Sequence, residues 1–350
     1  MMRFTAGMRA FAVMCLLLSF STTTRPILAA ELDGTANSPA QALTLDLDRV
    51  VPAGESMPRL HSLLVSHRGE LVLERYFNGH APTDSENVKS VSKSVISALV
   101  GIAIHRGYIR GPKATLGEYF GDDAGAEKAQ ITLENLLTMR AGLRSTSNGN
   151  YGTWVQSDDW IEFALEQPLE APPGRHMQYS TGNTHLLSAV LTRATGFSTL
   201  EFAREVLAEP LGFRLASWPR DPQGIYFGGN DMELTPRQML AFGELYLNGG
   251  RAKGRQVVPQ AWVEASLRPH AESPLGEGRH YGYGWWICTL AGYRTPHAWG
   301  YGGQFIMLVP ELDLAMATTS SSGPGPDSNA HANQVYQLLQ QIIRVVGSAP

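Results

Sequence analysis

Apolar residues recur along the chain at two different spacings, and the two kinds of stretch are segregated. Leu63-Leu64-Val65 and Leu71-Val72-Leu73 flank the polar His67-Arg68-Gly69-Glu70, a pattern that predicts a β-hairpin. Over 90–106 the apolar positions, among them Val91, Val95, Ile96, Leu99, Val100 and Ile102, cover nearly every face of a helix. A helix apolar all round is a buried one, and Gly107 is placed to end it. From about 111 to 254 the spacing stays helical, over 133–139, 158–166, 182–194 (stopped by Gly196), 199–207 and 237–247. The last is headed by Thr235 and Pro236 as cap and first residue and is followed by Asn248-Gly249-Gly250. After residue 280 strand patterns return over 281–290, 304–309 and 314–319, the last two joined by Pro310-Glu311-Leu312-Asp313, and an amphipathic helix spans 329–346.

Strand-rich ends around a helical middle predict an α/β (α+β) fold. A central antiparallel sheet is built from both chain ends and flanked by helices, with an all-helical lobe inserted. The corresponding boundaries are 31–110 plus 255–350 for the sheet domain and 111–254 for the helical lobe.

Residues 1–30 read differently. Arg3 and Arg9 precede an apolar run from Phe11 to Phe20, and the small residues Ala29 and Ala30 follow before Glu31. This is the pattern of an export signal, and the run is about half the roughly 20 residues a spanning helix needs. The expected destination is periplasmic or secreted, without a membrane anchor. Removal near residue 30 leaves Cys288 as the sole cysteine, so no internal disulfide and no cysteine-built metal site are expected. The formal charge of −4 includes three bases and no acid in that leader, so the rest of the 350-residue chain is mildly acidic. Nothing in it offers the basic footprint of a nucleic-acid binder.

The chemistry starts at Ser90-Val91-Ser92-Lys93, the one Ser-x-x-Lys in a chain with five lysines. Residues three apart share a helix face, so Lys93 can reach the Ser90 oxygen. Burial disfavours the ammonium form and prepares a lysine to act as a base near neutral pH, while the helix amino terminus offers backbone donors to an oxyanion. The structural alternative has Ser90 capping the helix and Lys93 reaching out to solvent. On the tetrapeptide alone the two stand level, since on the order of one such match occurs by chance in this length. A second element, Gln178-Tyr179-Ser180-Thr181-Gly182-Asn183, places Tyr179 on a turn before a helix. Its hydroxyl can shuttle a proton if Lys93 favours the phenolate. A third, His297-Ala298-Trp299-Gly300-Tyr301-Gly302-Gly303-Gln304, has three glycines at the mouth of a strand. They fit either a close approach to a ligand or a tight bend at the sheet edge.

The order of the three elements resembles the serine β-lactamase and penicillin-binding protein superfamily, with its Ser-x-x-Lys, Ser-Asp-Asn or Tyr-x-Asn, and Lys-Thr-Gly motifs. The segment 131–143 looks like that family's stretch after the nucleophile helix, and 232–239 and 300–304 look like its esterase and 6-aminohexanoate-dimer hydrolase branches. The resemblance implies Ser90 as nucleophile, Lys93 as its base, Tyr179 as a second proton-transfer group, and an oxyanion hole from the backbone amides of Ser90 and Tyr301. It also points to substrate contacts from Thr181, Trp299, Gly300 and Tyr301. Two departures stand out. Thr181 replaces an asparagine, and Ala298 replaces the lysine or histidine that receives the carboxylate of β-lactams and peptides. His297, one residue early, is expected on the opposite strand face.

The expected function is therefore hydrolysis of an ester or small amide through an acyl-enzyme on Ser90, with a small-molecule substrate. Trp154, Trp285, Trp286, Trp299 and Tyr301 suit an apolar or linear one. The alternatives are a β-lactamase, D,D-peptidase or D-aminoacylase, and a catalytically silent binding protein of the same fold. Asp158 and Asp159 fit a helix start better than an amine site. No Gly-x-Ser-x-Gly elbow suggests an α/β-hydrolase, no histidine spacing suggests a catalytic metal, and no cofactor is implied.

Overall fold

A computed structural model of the chain describes residues 43, 46–147, 149–323 and 328–348. The leader read as an export signal lies outside them. No helix among the described residues is long and apolar enough to cross a membrane.

Eight strands form one antiparallel sheet: β1 (Leu60–His67), β2 (Glu70–Tyr76), β3 (Ala271–Glu272), β4 (His280–Tyr281), β5 (Trp286–Leu290), β6 (Tyr293–Gly300), β7 (Gln304–Val309) and β8 (Leu314–Ser320). Their spatial order is β2-β1-β8-β7-β6-β5-β4-β3, so the hairpin near the amino end is stitched to the carboxyl-end strands by the β1–β8 ladder. The expected 281–290 strand is broken. Between β4 and β5 the chain turns at Gly282, where a Cβ would lie 2.0 Å from the Ser266 carbonyl oxygen.

Alternation along β7 shows why the sheet is buried on both faces. Ile306 and Leu308 join one apolar cluster, while Phe305, Met307 and Val309 join another. The first lies against α1 (Ser92–His105) and α5 (Pro236–Leu247); the second is covered by the apolar stripe of α6 (Ser328–Ser348). Val335, Leu338, Leu339, Ile342 and Ile343 of that stripe are almost wholly buried, each contributing about 1.5–3 kcal/mol of burial.

The helical middle carries α2 (Leu133–Leu137), α3 (Trp160–Glu166) and α4 (Thr181–Thr195). Asp159 caps α3, its carboxylate accepting the Ile161 and Glu162 amides at 2.9 Å, the structural role its position suggested. Thr235 and Gln238 form a capping box on α5, with Pro236 in its first turn. A short ladder between Glu86–Asn87 and Glu233–Leu234, too brief to leave a pattern in the sequence, ties the segment before Ser90 to the segment before α5.

Candidate active site

The turn that carries Ser90 is assembled before α1 begins. Lys89–Val91 is a single 3₁₀ turn, and the α-helix starts only at Ser92. Lys89 adopts φ 50°, a left-handed conformation that is strained for a residue with a Cβ. Its amide donates to Asn87 Oδ1 at 3.0 Å, and its Nζ pairs with Asp231 Oδ1 at 3.1 Å. Asn87 Nδ2 donates to that same Asp231 oxygen at 2.8 Å. The turn is thus held from both sides.

Neither part of the structural alternative for the tetrapeptide is realised. The local hydroxyl-to-backbone bond is made by Ser92, whose Oγ donates to the Lys89 carbonyl at 2.6 Å. Lys93 does not reach solvent: it is 1% exposed. Its Nζ donates to Gly229 O at 2.5 Å, stands 3.0 Å from Ser90 Oγ and 3.3 Å from Thr181 Oγ1, and lies over the Tyr179 ring. Burial pulls the ammonium down to about 7, with the more distant Asp231 carboxylate partly opposing it.

Tyr179 lies in the turn before α4, its ring stacked on Trp286 at 5.5 Å and its hydroxyl near enough to that of Ser90 to be influenced by it. Burial pushes the phenol well above its usual range. The condition set for a phenolate is thus not favoured at Tyr179, and the group brought toward neutrality is Lys93. Thr181, the first residue of α4, bonds its hydroxyl to Ser147 Oγ at 2.7 Å.

The glycine-rich element is a hairpin turn, not the mouth of one strand. β6 ends at Gly300, Tyr301-Gly302-Gly303 turn the chain, and β7 begins at Gln304. Gly302 and Gly303 have φ 86° and 102°, where a side chain is strained. Gly300 does not line the cavity as a substrate contact. A Cβ there would stand 2.3 Å from the Val88 carbonyl oxygen, so its bareness lets β6 close against the turn preceding Ser90. Of the two options left open by the sequence the bend is realised, and the close approach is to the Val88 carbonyl and not to a ligand.

A cavity of about 1120 Å³ opens over this group. Ser90, Tyr179 and Thr181 reach it, Trp286, Trp299 and Leu275 give it apolar walls, and Lys89 and Asn230 lie on its polar side. Tyr301, 44% exposed, stands at its edge. Trp154 is not among the lining residues. It is fully buried against Trp160, His185 and Phe227, with Nε1 donating to the Trp160 carbonyl at 2.9 Å, so its expected substrate contact is corrected to a core role. Trp285 is likewise core, packed on Tyr246. His297 lies on the sheet face away from α1, beside Tyr336 and Phe305, while Ala298 belongs to the cluster on the α1 side.

The sequence profile of the Beta-lactamase family matches residues 61–341. The chain belongs to the Beta-lactamase family. Among its relatives is the 6-aminohexanoate-dimer hydrolase of Paenarthrobacter ureafaciens, 28% identical over 292 residues that cover 76% of this chain and 74% of that protein. Solved structures share the fold. EstCE1, described as a hydrolase with promiscuous acyltransferase activity, superposes with a TM-score of 0.69 at 17% identity, covering 88% of this chain and 99% of its own. The octameric penicillin-binding protein homologue of Pyrococcus abyssi gives 0.65 at 18% identity, covering 88% and 78%. Membership in this family of serine hydrolases supports a hydrolase.

Sequence reading missed the segment that completes the site. Gly229 offers its carbonyl to Lys93, and Asp231 braces Lys89. A Cβ at Gly228 would stand 2.2 Å from the Thr184 carbonyl oxygen, so the glycine pair is what lets this backbone approach α4. Behind it, the buried His185 and Asp221 pair at 2.9 Å, and Asp221 Oδ1 accepts the Ile225 amide at 2.7 Å. The visible signal was Gly228-Gly229-Asn230-Asp231, a polar glycine-bearing tetrapeptide in an otherwise helical region.

Proposed function

We propose that the chain is a serine hydrolase that cleaves an ester or small linear amide through an acyl-enzyme on Ser90. The observation that carries this is the placement of a wholly buried Lys93 Nζ 3.0 Å from Ser90 Oγ at the floor of an apolar-walled cavity. Lys93 in its neutral form takes the Ser90 proton as Oγ forms a bond to the substrate carbonyl carbon. The carbonyl oxygen becomes the oxyanion, received by the backbone amides of Ser90 and Tyr301. The carbon–oxygen or carbon–nitrogen bond to the leaving group then breaks, and that group takes a proton from Lys93 directly or through the Tyr179 hydroxyl. Water attacks the acyl carbon in the reverse sense, losing its proton to Lys93 and freeing Ser90.

Ala298 in place of a strand cation, together with the pairing of Lys89 to Asp231, favours neutral or linear substrates over β-lactams. A retained Ser90–Lys93–Tyr179 constellation argues against a catalytically silent relative. The test uses purified wild type and Ser90→Ala with a short-chain nitrophenyl ester, a 6-aminohexanoate dimer and a chromogenic cephalosporin, alongside a fluorophosphonate probe. Wild type is expected to turn over the ester or the dimer and to be labelled, and Ser90→Ala to do neither. Equal turnover by Ser90→Ala would refute the nucleophile, and preference for the cephalosporin would reverse the substrate order.

A further inference from the structure

A second cluster of chemistry-bearing side chains lies outside the proposed site, where the hairpin near the amino end meets the segment leading to Ser90. His61 of β1, His80 of the turn after β2, and Glu86 of the short ladder bring one donor atom each to within 4.8 Å of the other two. Glu86 Oε1 stands 2.6 Å from His61 Nδ1 and 3.1 Å from His80 Nδ1. Asp84 Oδ2 lies 3.5 Å from His80 Nδ1, beside that group and not within it. We propose that His61, His80 and Glu86 form a binding site for a divalent transition-metal ion of the Zn²⁺ type, with Asp84 at hand on the His80 side.

Four observations carry this. Nitrogen and oxygen ligands bind Zn²⁺ at about 2.0–2.2 Å, so the ligand atoms of a tetrahedral site stand roughly 3.3–3.6 Å apart. The 3.1 and 3.5 Å separations lie close to that spacing, and the 2.6 Å pair opens to it by about 0.7 Å as an ion enters. Second, His80 Nδ1 is buried, stands against a carboxylate oxygen, and makes no hydrogen bond of acceptable geometry among the described residues, so that nitrogen lacks an aligned partner. Third, the two imidazoles stack at 3.5 Å between centroids around one carboxylate, which concentrates donors with no competing cation among these four side chains. Fourth, the donor set is chemically selective. Two imidazoles with carboxylates suit Zn²⁺ and its neighbours, whereas Ca²⁺ and Mg²⁺ take nearly all-oxygen shells.

The site is also built on supports. His61 lies in the sheet. The turn bearing His80 is pinned by Asn78, whose side-chain amide donates to the Met57 and Leu60 carbonyls at 3.0 and 2.7 Å. Asp84 Oδ2 accepts the Ala81 amide at 2.9 Å and closes the loop between His80 and Glu86. Near-parallel rings cannot both direct an in-plane lone pair at one ion. Binding therefore turns the His80 ring, whose side chain is 29% exposed on its turn, while the less exposed His61 and Glu86, at 14% and 12%, only draw apart. An ion here clips β1, the exit of β2 and Glu86 together. Glu86 adjoins Asn87, which holds the strained Lys89 ahead of Ser90. The ligands span 25 residues without local spacing, which is why no sequence pattern announced them.

The test strips the full chain with a chelator and titrates it with Zn²⁺ by calorimetry, with metal content per chain measured after desalting. Co²⁺ is then substituted and its visible absorption recorded. One equivalent of Zn²⁺, a rise in melting temperature with the metal, and the intense visible bands of low-symmetry Co²⁺ are expected for wild type. His61→Ala/His80→Ala is expected to lose stoichiometric binding, and the milder His80→Gln, on the exposed turn, to bind at least about tenfold more weakly. No saturable uptake by wild type overturns the site. So does unchanged affinity in folded His80→Gln, which would place the metal elsewhere, for example at Cys288 and His297.

Discussion

Lys93 Nζ and the Gly229 carbonyl oxygen stand 2.5 Å apart, and this contact orients the amine. A neutral amine has two N–H bonds and one lone pair. Donation to Gly229 O and to Thr181 Oγ1 uses both hydrogens and turns the lone pair toward the Ser90 hydroxyl. The contact depends on a bare α-carbon, because a Cβ at Gly229 would lie 2.7 Å from Thr181 Cγ2, 2.8 Å from the Thr181 carbonyl oxygen and 3.3 Å from Lys93 Nζ. Gly229→Ala is therefore expected to displace this backbone and lower kcat/KM by about 100-fold, the effect of a misplacement near 1 Å. Circular dichroism should show the fold retained. Near wild-type turnover in a folded Gly229→Ala would remove Gly229 from the account.

Activity should rise with pH through neutrality. Burial sets Lys93 at about 7, and only its neutral form can accept the Ser90 proton. The kcat/KM profile for a neutral ester is expected to show one ascending limb with a midpoint near that value. Tyr179, held above its usual range, should give no descending limb below the phenol's ordinary pH. Lys93→Met should lose about 10²–10⁴-fold in kcat/KM together with that limb. A Lys93→Met variant that kept the limb would assign it to another group.

The same group links stability to pH. Lys93 titrates at about 7 in the folded chain against 10.5 as the reference value. Between those values the unfolded state binds a proton that the folded state does not, so stability rises with pH and the contribution is lost as pH falls through the folded value. From pH 7 to 9 wild type should gain about 2 kcal/mol relative to Lys93→Met, read from urea midpoints at constant slope. Parallel pH dependences for the two proteins would mean that Lys93 is not held neutral by the fold.

What was legible in the sequence followed from periodicity and order. The β1–β2 hairpin, β7, β8, α1 and α5 sit close to their predicted ranges because each carries its own alternation, cap or stop signal. The Ser90, Lys93 and Tyr179 constellation was legible because one turn of helix joins the first two and motif order supplies the third. Contacts set by tertiary approach were not legible. Gly300 looked like a ligand contact, but its absent Cβ answers to the Val88 carbonyl. Gly229 and Asp231 lie more than 130 residues from the lysines they serve, and His61 and Glu86 lie 25 residues apart with no local spacing to link them. The condition under which Tyr179 would act as a phenolate was not legible either: desolvation of the phenol outweighs the influence of the Ser90 hydroxyl and raises it.

Tryptophans show most directly how burial separates substrate contact from core, and two substitutions test the distinction. Trp299 reaches the cavity and packs its ring parallel to Phe305 at 6.3 Å, near Trp286. Trp154 is fully buried among Trp160, His185 and Phe227. Trp299→Ala should raise KM for a long-chain ester about tenfold while leaving a short-chain ester nearly unaffected, since the loss is apolar contact with the acyl or alcohol arm. Trp154→Ala should cost about 3–5 kcal/mol of stability through the cavity it leaves. At a temperature where it stays folded, its KM for both esters should match wild type, because none of its atoms borders the substrate cavity. The decisive measurement is the ratio of KM values for the two esters in each variant. A ratio shifted by Trp154→Ala and not by Trp299→Ala would move the apolar arm of the substrate from the end of β6 into the helical middle.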